Sequence, residues 1–200
     1  MIDDPNFLPE LPFERLKTTL REHVARTAAN IHAEQFAVWL DPLMRDVLRQ
    51  GFAEAGAHEG TVWLVDEANA NLAPAYNTGP QAARIIGKFK QPLNSGLVCM
   101  VFASEQPFLE NEVSKDAHQN KALDSLLQTE TFAMIAVPFH LLGECQGVIS
   151  CVQLKRPQTT EDPPPGFRPE DLVRVQRMTA VFSQLVEYRI LCRTIGWTSQ

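Results

Sequence analysis

The side chains best suited to chemistry are the cysteines Cys99, Cys145, Cys151 and Cys192, the histidines His23, His32 and His118, and the polar run Ser114-Lys115-Asp116-Ala117-His118-Gln119-Asn120. A cysteine nucleophile works as a thiolate and needs a partner that lowers its pKa, while a dithiol redox centre usually shows a C-x-x-C spacing. No such spacing occurs here, so the cysteines read as free, buried thiols. The six-residue step from Cys145 to Cys151 puts both on one face of a strand that runs unbroken. His23 and His32 have no partner nearby in sequence, and the H-E-x-x-H, G-x-S-x-G and G-x-x-x-x-G-K patterns of metalloproteases, hydrolases and nucleotide binders are all absent. The 114–120 run reads in two ways. It is a lid whose donors and acceptors meet a ligand, or a solvated loop whose Asp and Asn cap its own turns. Asp116 and Asp124 read likewise as a spatial pair or as separate solvated acids.

These residues must be positioned by regular elements. Leu16, Leu20, Val24, Thr27, Ile31 and Val38 recur at helical spacings and predict one amphipathic helix over 14–40. Asp41-Pro42 reads as an N-cap followed by proline at the first helical position, opening a second helix that runs to Gly56. From Gly60 the period shortens, and 61–66 with 72–76 predict a β-hairpin. A short helix over 81–88, an edge strand over 88–93, a helix over 97–105 and a brief strand over 107–109 follow. Leu123, Leu126 and Leu127 suggest one or two more helical turns, and 131–140 with 144–155 form the strongest hairpin signal. A stiff linker over 161–166 leads to a final helix with Pro169, Glu170 and Asp171 in its first turn. There Leu172, Val175, Met178, Phe182, Leu185 and Arg189 share one face, while Val173, Val181 and Val186 fall elsewhere, so a second apolar partner is implied.

The 200 residues are 44% hydrophobic and 21% charged, with a net charge of -6. That composition suits one folded core, repels a phosphate backbone over most of the surface and contains no apolar run of the roughly 20 residues a membrane helix needs. The acidic, proline-broken start is unlike a signal peptide, and the chain reads as cytoplasmic, with neither nucleic acid nor membrane as partner. The expected organisation is a flexible arm over 1–12, a helical extension over 13–40, a domain over 41–193 that includes the last helix, and a tail over 194–200.

The order of these elements resembles the GAF family, and several motifs carry the resemblance. Asn94-Ser95-Gly96-Leu97-Val98, Ser104-Glu105-Gln106-Pro107 and Glu110-Asn111-Glu112-Val113 are similar to the family's glycine-started helix, its S-G-x-P turn and its N-D-V. Ala136-Val137-Pro138-Phe139, Gly147-Val148-Ile149 and Phe167-x-x-Glu170-Asp171 resemble its x-V-P-L, G-V-L and F-x-x-D-E signatures. The similarity runs from Leu43 to Arg189. It implies an α+β, GAF/PAS-like fold: a central antiparallel sheet of about six strands, with the terminal helices on one face and short helices and a lid on the other.

For function, the resemblance implies a non-catalytic sensory or regulatory domain that binds a small molecule, a cyclic nucleotide among the options, or a dimerising scaffold without one. Thr61 and Gln153 stand where cyclic-nucleotide binders read the purine with a hydroxyl and an acid, although Gln153 lacks the acid and Lys155-Arg156 replaces their Asn-Lys. Ala117-His118 stands where bilin binders carry Cys-His, and His118 is the one candidate haem ligand in that region. The free methionine-R-sulfoxide reductase branch places its cysteines in the lid, where residues 113–134 have none. Trp63, Tyr76, Phe132 and Met134 line a cavity or fill the core. The candidate ligand contacts are Thr61, Trp63, Tyr76, Asn77, Leu97, Asp116, His118, Asn120, Asp124, Thr131, Met134 and Gln153. The cofactor is unknown, and the expected partners are a second copy joined through the terminal helices and a separate output protein.

Overall fold

The computed structural model describes residues 10–155 and 163–197. The expected arm up to residue 9, the start of the 161–166 linker, Arg156 and the end of the tail lie outside the described residues. Six antiparallel strands form one sheet: β1 (Glu59–Val65), β2 (Asn71–Asn77), β3 (Gln91–Pro92), β4 (Phe108–Glu110), β5 (Glu130–Leu141) and β6 (Glu144–Lys155), in the spatial order β3-β2-β1-β6-β5-β4. The alternation of side chains in the central strands divides the interior into two cores. Val62, Leu64, Ile135, Phe139, Ile149 and Cys151 face one side, and Trp63, Ala136 and Val148 face the other.

The first side is covered by α1 (Glu10–Ala29), α2 (Pro42–Glu54) and α6 (Pro169–Thr194). Phe182 of α6 is fully buried between Phe139 and Phe36, with ring centroids 5.5 Å and 6.2 Å away. Asp41 caps α2 by accepting from the Met44 N–H at 2.8 Å, and its other oxygen accepts from Arg189 Nη1 at 2.8 Å, joining α2 to α6. The second side carries α3 (Ala82–Ile85), α4 (Leu97–Ser104) and α5 (Ala122–Leu127).

Three helical expectations change. The helix predicted over 14–40 stops at Ala29, where Asn30 Nδ2 donates to the Arg26 carbonyl at 2.7 Å. The chain then turns inward to bury Ile31 and continues as a 3-10 helix over Ala33–Trp39 that buries Phe36. Leu16 and Val38 consequently stay exposed, and residues 10–12 are helical rather than an arm. In α6, Val186 is fully buried on the sheet side, whereas Val173 and Val181 point outward.

Two β-bulges adjust the β5–β6 ladder, one at Phe132 and one at Gln146, where the partners step from Phe139 opposite Gly147 to His140 opposite Cys145. An extra residue reverses the facing of everything beyond it. Cys145 therefore lies beside Glu105 at the end of α4, on the opposite side of the sheet from Cys151 in the helical core, and the expected single cysteine face is not formed. Gly147 next to this bulge admits no side chain, because a Cβ there would meet the Trp63 carbonyl oxygen at 1.9 Å.

Candidate functional site

Between the sheet and α4–α5 lies a cavity of about 80 Å³. Its floor comes from every second residue of two strands, Glu59, Thr61 and Trp63 of β1 and Ser150, Val152 and Leu154 of β6, and from Thr131 and Met134 of β5, which flank the bulge at Phe132. Its roof comes from Gly96, Leu97 and Val98 at the start of α4 and from Leu123, Asp124 and Leu127 of α5, with Gln119 and Asn120 between them. Gly96 opens α4 at φ +88°, ψ 157°, backbone that essentially only glycine adopts, and a Cβ there would stand 3.1 Å from Gln91 Nε2. That geometry brings the helix start down onto the cavity.

The polar lining is held by an internal network. Asn77 Nδ2 donates to Thr61 Oγ1 at 2.8 Å, and Asn77 Oδ1 accepts from the Gly79 N–H at 2.7 Å. Trp63 Nε1 donates to Ser150 Oγ at 2.9 Å. Asp124 accepts from Thr131 Oγ1 at 2.7 Å and from the Thr131 N–H at 3.0 Å, which fixes α5 to β5. Gln119 Nε2 reaches Asp124 at 3.3 Å, while Gln119 Oε1 is buried without a hydrogen-bond partner. A buried unpaired acceptor costs about 1–3 kcal/mol, so this oxygen favours any donor that enters. Burial pushes the Glu59 carboxyl above its ordinary pKa, and a hydrogen bond from Asn77 opposes part of that rise. The lining contains two carboxylates and no lysine, arginine, histidine or cysteine.

Of the sequence-derived candidates, Thr61, Trp63, Asn77, Leu97, Asn120, Asp124, Thr131 and Met134 line this cavity. Four stand elsewhere. Gln153 faces the helical side, where it spans the Gly56 carbonyl (3.1 Å), the Gly166 carbonyl (3.3 Å) and the Gly166 N–H (2.9 Å), clipping the segment that enters α6. Tyr76 alternates away from the cavity and packs against the helical core, and Phe132 packs there too because the bulge places it beside Ala133 on that side. Asp116 and His118 sit on the outer surface, His118 mostly exposed with Nδ1 3.1 Å from Asp116. The alternation also explains what was missed. Counting back by twos from Trp63 and Thr61 leads to Glu59, and the register that sets Thr61 opposite Ser150 leads on to Val152 and Leu154. Gln91 stands on the two-residue β3, too short for alternation to be read, while Gln119 belongs to the polar 114–120 run and is aimed by loop geometry.

The thiols stand apart from the cavity. Burial pushes Cys99 up to about 11 and Cys151 up to about 12, and it also raises Cys145, with backbone hydrogen bonds at Gly147 and Phe139 opposing. All four cysteines are free.

No protein-family model matches the sequence. No curated protein matches it either. Among solved structures, the fold is that of GAF domains. The chain is similar to the GAF domain of a phosphoenolpyruvate-protein phosphotransferase from Coxiella burnetii, with a TM-score of 0.62 and 14% identity over 90% of this chain and 96% of that one. A GAF domain/HD domain protein from Geobacter sulfurreducens gives 0.56 at 16% identity, covering 74% and 91%. Free methionine-R-sulfoxide reductase from Neisseria meningitidis, solved with its substrate, gives 0.54 at 16% identity, covering 84% and 88%. No helix among the described residues is long and apolar enough to cross a membrane.

Proposed function

We propose that the chain is a non-catalytic sensory or regulatory GAF domain that takes a small, neutral or cationic hydrogen-bond donor into the cavity beneath α4 and α5. The observation that carries this reading is the unpartnered Gln119 Oε1 in a lining that offers carboxylates and no cation. An anion entering there meets like charge and no compensating partner. The same lining argues against a cyclic nucleotide, whose phosphate lacks a cation and whose purine reader at Gln153 is turned to the other side of the sheet. Haem gains no support from His118 at the surface. A cavity of about 80 Å³ is well below the roughly 300 Å³ where drug-sized pockets begin, so a larger ligand enters by lifting α5. Such a lift breaks the Asp124–Thr131 contacts and converts binding into movement.

Output passes through the terminal helices to a second copy. Val173, Val181, Tyr188 and Leu191 are exposed and fall within about 80° of arc along α6, at 100° per residue, and Ile195 just past its end is exposed as well. The buried stripe of Val175, Phe182, Val186 and Ile190 occupies the opposite side of that helix. Free thiols fit action in the reducing cytoplasm. The thiol-reductase reading finds no support in a cavity lining without cysteine.

The test is native mass spectrometry of the full chain as purified from cells, followed by thermal melts with small amines, amides, matched carboxylates and cyclic GMP. We expect a neutral or cationic bound mass, or a Tm rise with amines or amides that Gln119→Leu abolishes. A Tm rise with carboxylates or cyclic GMP overturns the ligand class, and silence across the panel turns the reading to a scaffold without ligand.

A further inference from the structure

Away from the cavity, one group of side chains is assembled by the bulge at Gln146. Glu105 ends α4 in the left-handed region at φ 53°, which turns the chain over the sheet. Its Oε2 lies 2.8 Å from His140 Nε2, and His140 stands directly opposite Cys145 in the β5–β6 pair. One ligand atom from each of Glu105, His140 and Cys145 lies within 4.8 Å of the other two.

We propose that Glu105, His140 and Cys145, brought to one face by the β6 bulge and the left-handed end of α4, form a zinc site. A thiolate, an imidazole and a carboxylate are the donor types zinc accepts, and three protein ligands leave a fourth tetrahedral position for water. In a formed site, bonds of about 2.0–2.3 Å hold the ligand atoms roughly 3.3–3.6 Å apart. Reaching that range takes a closure of about an ångström from the limit of 4.8 Å and a slight opening of the 2.8 Å Glu105–His140 pair, shifts on the scale of side-chain rotation. The charge balances as well: a thiolate and a carboxylate neutralise the dication, and the proton lost by Cys145 leaves to solvent. The ligands are exposed or half-buried, so a metal reaches them from the surface. Neither the His140–Cys145 pairing nor Glu105 takes part in the cavity network. Metal binding would instead fasten the end of α4 to the β5–β6 hairpin, and the same helix starts at the cavity wall.

The experiment is titration of the untagged, metal-stripped full chain with cobalt(II), followed by displacement with zinc. The expected result is one equivalent bound, with tetrahedral d–d absorption and a thiolate-to-cobalt charge-transfer band, both erased by zinc. Cys145→Ser should remove the charge-transfer band, Cys192→Ser should keep it, and Glu105→Gln should weaken affinity at least tenfold. Absence of the charge-transfer band at one equivalent overturns the site. So does an unchanged band in Cys145→Ser. Should Cys145→Ser fail to fold, Glu105→Gln at the exposed helix end decides, and unchanged affinity in that variant overturns the site as well.

Discussion

Removing the carboxylate of Asp66 should cost about 3 kcal/mol at neutral pH. Asp66 follows β1, is fully buried and organises the turn into β2. Its oxygens accept from the N–H groups of Ala70 at 3.0 Å and Asn71 at 3.1 Å, from Asn71 Nδ2 at 2.8 Å, and from Lys90 Nζ at 2.8 Å. Hydrogen bonds to a charged group contribute about 1.5–3 kcal/mol each, but Ala70 is exposed and its N–H regains water in the variant. The two backbone bonds therefore account for about 3 kcal/mol together, and the half-exposed Lys90 adds little. At about 2–4 °C per kcal/mol for a chain of this size, Asp66→Ala should lower Tm by roughly 6–12 °C. The pH dependence supplies a second readout. Burial alone would push the Asp66 pKa up, but Lys90, the Asn71 amide and the two N–H groups outweigh it and hold the carboxyl well below its ordinary 3.8. The folded state then binds fewer protons than the unfolded state near that pH, so the contribution is complete above it and drains away as pH falls. Urea titrations of wild type and Asp66→Ala should differ by the full amount at pH 7 and by progressively less below about pH 4. A difference under about 1 kcal/mol at pH 7, or one that grows on acidification, refutes the account.

Two further outcomes test the cavity roof and the outer helix face. Gly96→Ala forces an alanine into glycine-only backbone and presses its Cβ to 3.1 Å from Gln91 Nε2, so it should destabilise by about 1–3 kcal/mol; a urea midpoint equal to that of wild type would show that α4 starts differently. Val181→Asp places a charge in the exposed α6 stripe, where a second copy is proposed to pack. Sedimentation should then show a dimer for wild type and a monomer for the variant with an unchanged melt; a wild-type monomer at tens of micromolar removes the dimer from the reading.

The sequence disclosed the strands because alternation is a local property, and the two long hairpins follow it nearly to the residue. Which side of the sheet a residue faces is not local, for it depends on every bulge between that residue and a known reference. Gln153 shows the consequence. A motif resemblance assigned it to the ligand, whereas its alternation with Cys151 and Ile149 already tied it to the helical core. Cys145 shows the converse, since simple alternation from Cys151 carried it to the wrong side until the extra residue at Gln146 was counted. Loop residues obey neither rule, and Gln119 came to the cavity because the chain between β4 and α5 folds over it. The same reasoning separates the two candidate sites. Cavity residues on β1 and the end of β6 keep an unbroken alternation, so their polar groups were open to inference by counting. Glu105, His140 and Cys145 depend on a bulge and on a left-handed helix end, two features that interrupt regular structure. Bulges often re-aim side chains toward a function, and this one turns a cysteine out of the apolar helical core to face an imidazole and a carboxylate.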